Sequence, residues 1–135
     1  MCLKFNSHNR NNRNLQYLRF GFWNASVISS KFEEIKEFIS DHELDIFLHQ
    51  ETFLRPGLTP EIPNFTLYRT NRTNTGTYRT YGGTCIYAKN DLVHHQKPSL
   101  ELRTIENPIM ELKLENTPPI TFISTYVKAT EFLIK

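Results

Sequence analysis

Cysteine is scarce in this 135-residue sequence, with only Cys2 and Cys85 present. Cys2 stands in a polar leader and Cys85 in an apolar run, and neither has a second ligand at metal-binding spacing. A zinc-finger site is thereby excluded, and a reduced intracellular protein is the simplest expectation. No apolar run approaches the ~20 residues that span a bilayer. The opening residues, MCLKFNSHNR, lack the apolar segment of a secretion signal. The N-x-S/T sequons at Asn24, Asn64 and Asn71 are therefore read as chance. Charge of one sign is also lacking: 16 Lys and Arg against 14 Asp and Glu leave +2, too little to argue for a partner. There is no P-loop, no G-x-S-x-G elbow and no internal repeat at solenoid spacing.

What is present describes one globular domain. Hydrophobic residues make up 39% and charged residues 22%, a soluble balance, and the length suits one domain rather than two. Residues 1–17 are rich in asparagine and without periodicity, and are expected to form a disordered, mildly basic leader. Tyr17 to Trp23 (YLRFGFW) suits a buried strand. Ile28, Phe32, Ile35 and Ile39 recur at helical spacing, and Ser30 with Glu33 makes a capping box. An amphipathic helix is predicted over 30–41. Leu44 to Leu48 reads as a central strand, so that strand, helix and strand form a βαβ unit with parallel neighbours. Pro56, Gly57, Pro60 and Pro63 mark a loop. Further strands are read at 65–69, 84–88 and 92–95, and a hairpin pairs 109–115 with 120–127. After the first βαβ unit the pattern is mainly hairpins. It predicts a sheet-on-sheet core with helices outside.

Four groups of residues could carry chemistry. Glu51 follows a central strand, where a carboxylate can face a crevice and bind Mg²⁺, which takes few carboxylates and otherwise keeps water or phosphate. The plain alternative is a strand-end glutamate in solvent. Asn24 ends the first strand, and if the two strands are parallel neighbours it emerges beside Glu51. Its amide could then reach a phosphate oxygen, or it is a turn asparagine bonding its own backbone. The stretch 68–81 (YRTNRTNTGTYRTY) carries Arg69, Arg72 and Arg79 without an acid, interleaved with tyrosines. It suits a nucleic-acid-facing loop or an ordinary solvated hairpin. His8, His42, His94 and His95 read as structural or surface residues, and His49 as packing beside the site.

Five segments stand in order: LRFGFWNA from Leu18 to Ala25, ELDIFLHQET from Glu43 to Thr52, YRTNR from Tyr68 to Arg72, GGTCIY from Gly82 to Tyr87 and ITFISTY from Ile120 to Tyr126. As a set they resemble the endonuclease/exonuclease/phosphatase family, in particular the apurinic-endonuclease-like domain of jockey-type non-LTR retrotransposons. The resemblance implies an α/β fold, here the N-terminal half of a four-layer α/β sandwich over residues 18–135. It implies that Glu51 is the metal-binding glutamate, that Asn24 is the active-site asparagine, and that Tyr126 contacts the scissile phosphate. The implied reaction is hydrolysis of DNA phosphodiesters with Mg²⁺ or Mn²⁺, in a protein joined to a reverse transcriptase and located in the nucleus. The same superfamily includes phosphatases and sphingomyelinases.

The sequence departs from that pattern in ways that bear on activity. It contains neither the G-D-F-N nor the S-D-H segment, which supply the general-base histidine and its aspartate. Asn71 stands where the pattern has aspartate, and VKATEFLIK follows Tyr126 in place of a proline-containing loop. The expectation is a truncated, inert product whose half-core exposes apolar surface open to partners or aggregation. The alternative is a non-catalytic nucleic-acid-binding module using the basic loop 69–79.

Overall fold

The computed structural model describes residues 2–6, 17–24, 28–52, 54, 57–70, 83–99 and 105–127. The fold is α/β. A five-stranded sheet has the order β1-β2-β3-β5-β4, built from β1 (Cys2–Asn6), β2 (Tyr17–Asn24), β3 (Ile46–Gln50), β5 (Thr84–Lys89) and β4 (Phe65–Arg69). A three-stranded sheet orders β6 (Val93–Lys97), β8 (Ile109–Lys113) and β9 (Ile120–Ile123) as β6-β8-β9. The short strands β7 (Ile105–Glu106) and β10 (Tyr126–Val127) pair with one another. A single helix, α1 (Ile28–Asp41), lies among the described residues.

The layers follow from side-chain parity. In β2, β3 and β5 one face supplies Leu18, Ile46, Ile86 and Ala88, which pack against Leu92, Met110, Leu112 and Phe122 of the second sheet and its approach. The opposite face supplies Phe47, Cys85 and Tyr87, which bury Ile28, Ile35 and Ile39 of the helix. The central strand β5 has apolar or small residues on both faces because both are covered. The expected sheet-on-sheet core with a helix outside is thus what forms. The outer face of the second sheet is less well covered, with Val93 67% and Ile123 50% exposed.

As expected, α1 joins two parallel strands: β2 and β3 pair from Phe20↔Ile46 to Asn24↔Gln50. Its exposed face is laced by Lys31–Glu34 at 3.3 Å and Lys36–Glu33 at 2.8 Å, pairs worth a few tenths of a kcal/mol each. The helix begins two residues earlier than the capping box predicts. Ile28 N–H donates to the Thr52 carbonyl at 3.1 Å, so a long-range partner satisfies a first-turn donor and Ser30 falls inside the helix.

The helix ends in a Schellman motif. Leu44 N–H donates to the Ile39 carbonyl at 2.9 Å and Glu43 N–H to the Ser40 carbonyl at 3.0 Å, with Glu43 at φ 48° where glycine is usual. Arg19 ion-pairs with Glu43. This turn takes Leu44 out of the predicted strand, which starts instead at Ile46, and lays its side chain over Gly21. A Cβ at Gly21 would stand 2.9 Å from Leu44 Cδ1 and 3.5 Å from Phe38 Cε1. Gly21→Ala should therefore destabilise the fold by about 1–3 kcal/mol, the usual cost of overpacking a core. Urea melts check this, and an unchanged midpoint would mean that Leu44 swings aside freely.

The leader departs from expectation. Residues 2–6 form an edge strand rather than disorder, pairing antiparallel with β2 from Cys2↔Gly21 to Asn6↔Tyr17. The free edge of β2 supplies backbone partners that local composition does not reveal. Residues 7–16 lie outside the described residues.

Candidate functional site

Strand directions gather several chain segments at one edge of the molecule. β3 and β4 both run antiparallel to β5, and β2 runs parallel to β3. The ends of β2, β3 and β4 therefore share an edge with the start of β5. Asn24 is the last residue of β2 and pairs with Gln50, the last of β3, so Glu51 comes next to it along the rim. Arg69 ends β4 at the same edge, opposite Cys85. Asn24 and Glu51 thus emerge at one sheet edge, as expected, with Gln50 rather than Glu51 directly opposite Asn24.

Glu51 is half-buried and its backbone has φ 58°, in the left-handed region that a side chain with a Cβ rarely adopts. The next residue holds it there. Thr52 N–H donates to the Gly83 carbonyl at 3.1 Å, and the Thr52 carbonyl accepts from Ile28 N–H at 3.1 Å. The positive end of α1 consequently opens on this same edge, where it favours an anion.

Tyr126 arrives by a route the hairpin pattern did not foresee. β9 stops at Ile123 because Ser124 leaves the ladder. Its N–H donates to the Pro108 carbonyl at 3.2 Å, its carbonyl accepts from the Thr84 hydroxyl at 3.0 Å, and its own hydroxyl accepts from Gln50 Nε2 at 3.3 Å. Tyr126 then pairs with Glu106 rather than continuing the hairpin. Gln50 thus ties the Glu51-bearing strand to the segment that carries Tyr126.

Thr52, Thr84, Asn107 and Ser124 are all buried and polar and collect around this edge. Gln50, Thr84 and Ser124, joined by their hydrogen bonds, form a floor of hydroxyl and amide groups that motif reading did not pick out. One signal was available: Ser124 stands at the inward parity of ITFIS, where Ile120 and Phe122 are apolar.

His49 lies beneath this floor on the helix side, fully buried, opposite Trp23 and Cys85 in register. Both ring nitrogens lack a hydrogen-bond partner. Burial lowers its pKa to about 4; the Trp23 backbone pulls the other way without offsetting it. His49 is therefore a neutral packing residue, stacked near Phe47 at 6.2 Å. Burial also pushes the Cys85 thiol far up, so it packs as an unreactive apolar group. His94 has a bonded structural place: Tyr68 hydroxyl lies 2.7 Å from its Nδ1, and its Nε2 lies 3.1 Å from the Lys89 carbonyl.

Of the three arginines of the basic loop, Arg69 alone is described, and its guanidinium donates to the Leu58 carbonyl. Arg72 and Arg79 lie outside the described residues. Among the described residues no three His, Cys, Asp or Glu side chains cluster as a metal site, and no helix is long and apolar enough to cross a membrane.

The geometry defines an α/β protein with a polar, partly buried rim at the ends of its parallel strands. Comparison with known proteins gives that rim a context. Over 110 residues, 81% of this chain, it is 32% identical to a Drosophila melanogaster protein, the probable RNA-directed DNA polymerase from transposon X-element. Over 115 residues, 84% of this chain, it is 29% identical to the RNA-directed DNA polymerase from mobile element jockey of the same organism. The chain covers 12% of the length of each of these relatives. No protein-family model matches it, and no solved structure does. The two relatives support a retrotransposon origin for the chain.

Proposed function

We propose that the chain carries part of a metal-dependent phosphodiester-hydrolysing site of the endonuclease kind, from a mobile element whose polymerase it accompanies. In this reading Glu51 holds Mg²⁺ or Mn²⁺, and Asn24 and Tyr126 address a phosphate of a DNA strand. The observation that carries it is the Glu51 backbone. A carboxylate stands in a left-handed conformation at the edge where three strand ends meet. Such a residue costs of order 1–3 kcal/mol, and strain of this kind clusters at functional sites.

The donor set suits the metal. Magnesium accepts one or two carboxylates and fills its remaining positions with water and phosphate, so one half-buried glutamate beside an amide is sufficient protein ligation. When bound, the metal would stabilise charge on the phosphate oxygens. The chain's own groups have separate work. The Asn24 amide donates to a phosphate oxygen, the Tyr126 hydroxyl donates to another, and the N-terminal end of α1 adds a favourable field. The names of the two relatives fit association with a reverse transcriptase and with nucleic acid, and a nuclear location accords with that work.

Hydrolysis also needs a base, and the sequence holds neither the G-D-F-N nor the S-D-H segment. Groups that act as a unit lose nearly all of their effect together. The expected outcome is a chain that binds metal without nicking DNA. Mg²⁺ should raise the thermal midpoint, Glu51→Gln should abolish that rise, and supercoiled plasmid should stay intact. A melt indifferent to Mg²⁺ would remove the metal site. Nicking that Glu51→Ala abolishes would instead establish a working nuclease.

A further inference from the structure

One row of β2 side chains runs from the core to the rim. Leu18 is 1% exposed, Phe20 packs edge-to-face on Phe122 with ring centroids 5.5 Å apart, and Phe22 is 45% exposed. Asn24, exposed, ends the row. Strand parity puts all four on one face, the face shared with Leu48 and Gln50 of β3. Phe22 belongs to neither apolar core. Among the described residues β1 pairs with β2 from Asn6↔Tyr17 to Cys2↔Gly21. A partly exposed aromatic ring therefore stands one pleat from the asparagine assigned to the phosphate.

We infer that Phe22 is a stacking platform for an unpaired base of the DNA strand whose phosphate lies at Asn24 and Glu51. The inference rests on the phosphodiester reading above and adds a base subsite to it. The spacing suits the ligand. Residues two apart on a strand face stand about 6.4–6.8 Å from one another, close to the rise between successive phosphates of an extended single strand. A base attached to the sugar beside the bound phosphate then meets the ring, while the backbone meets the polar rim. An aromatic face accepts any base, because every base has a π-face, so this subsite adds affinity for single strands without choosing a sequence. It also calls for a base that has left its stack, because a duplex keeps its bases away from a ring on a strand face.

The test compares two fluorescein-labelled oligodeoxynucleotides of equal length, one single-stranded with bases and one made wholly of abasic sites. Anisotropy is read with Mg²⁺ present and absent, alongside sedimentation of the protein alone. The wild-type chain should bind the base-bearing strand about tenfold more tightly. Phe22→Ala should remove that preference and leave the abasic strand unaffected, and Phe22→Trp should keep it. Glu51→Gln should lose the Mg²⁺-dependent binding of both strands while keeping the base preference, which separates the two assignments. Equal binding of the two strands by wild type, or an equal loss on both in Phe22→Ala, overturns the platform and leaves the metal reading to its own Mg²⁺ arm. If Phe22→Ala alters only the sedimentation, the ring is a contact between protein copies, and the inference fails.

Discussion

Acidification from pH 6.5 to pH 4 should remove about 3 kcal/mol of stability from the wild-type chain, and His49→Leu should abolish most of that loss. The sign follows from linkage. Folding lowers the His49 pKa from 6.5 to about 4, so between those values the unfolded chain binds a proton that the folded chain refuses. The stabilisation is complete above the unfolded pKa and is lost as pH falls toward the folded one, at about 1.4 kcal/mol per decade of proton concentration. The cause is geometric. The imidazole is enclosed by Trp23, Phe47 and Cys85, neither ring nitrogen has a well-formed hydrogen bond, and the Trp23 backbone offsets only part of the burial cost. Cys85 offers no compensating charge, because its thiol stays protonated. Leucine has nearly the volume of histidine and leaves no unpaired polar atom, so His49→Leu should also gain about 1–2 kcal/mol at pH 7. Urea melts at pH 7, 5.5 and 4 read both effects. A variant with the wild-type pH slope would place the acid sensitivity in the carboxylates instead.

The same histidine shows where sequence reading works and where it stops. Its position beside Glu51 suggested packing, but nothing local indicated that both ring nitrogens would go unpaired, because that depends on residues from β2 and β5. The helix was legible because its apolar residues recur every three or four positions. The parallel pairing of β2 with β3 was legible because a helical crossover leaves few alternatives. From that pairing alone Asn24 and Glu51 came to one edge. The helix start was not legible, since a strand-end carbonyl at Thr52 takes the role assigned to a capping box. Nor was the edge strand at residues 2–6, whose hydrogen bonds belong to β2. The break at Ser124 was hidden in a run that looks continuous. Its three partners, Pro108, Thr84 and Gln50, are set by the meeting of two sheets. What the chain does within a few residues could be read from the sequence, and what two distant segments do to each other could not. The polar floor is entirely of the second kind.

Glu51→Gly should move stability in opposite directions with and without metal. Without metal the variant should be more stable by about 1 kcal/mol, because glycine takes φ 58° without the Cβ clash that glutamate bears. The added freedom of the unfolded chain offsets part of that gain. The Thr52 hydrogen bonds to Gly83 and Ile28 involve only backbone and stay in place. With Mg²⁺ at a hundred times its dissociation constant, the wild type should gain about 2.7 kcal/mol and the variant nothing, so the order of stability reverses. Glu43→Gly is the control, since Glu43 has φ 48° at the end of the helix and bonds Arg19. It should relieve comparable strain, lose only an exposed ion pair, and keep the full response to metal. Thermal melts of the three proteins across a Mg²⁺ titration decide the matter. If Glu51→Gly is less stable than wild type without metal, the side chain has a structural role that its strained backbone serves. If it is more stable at every metal concentration, the strain is unrelated to metal and Glu51 is a solvent-facing residue at a strand end. Only crossing titration curves leave the strained carboxylate as a site that trades stability for a ligand.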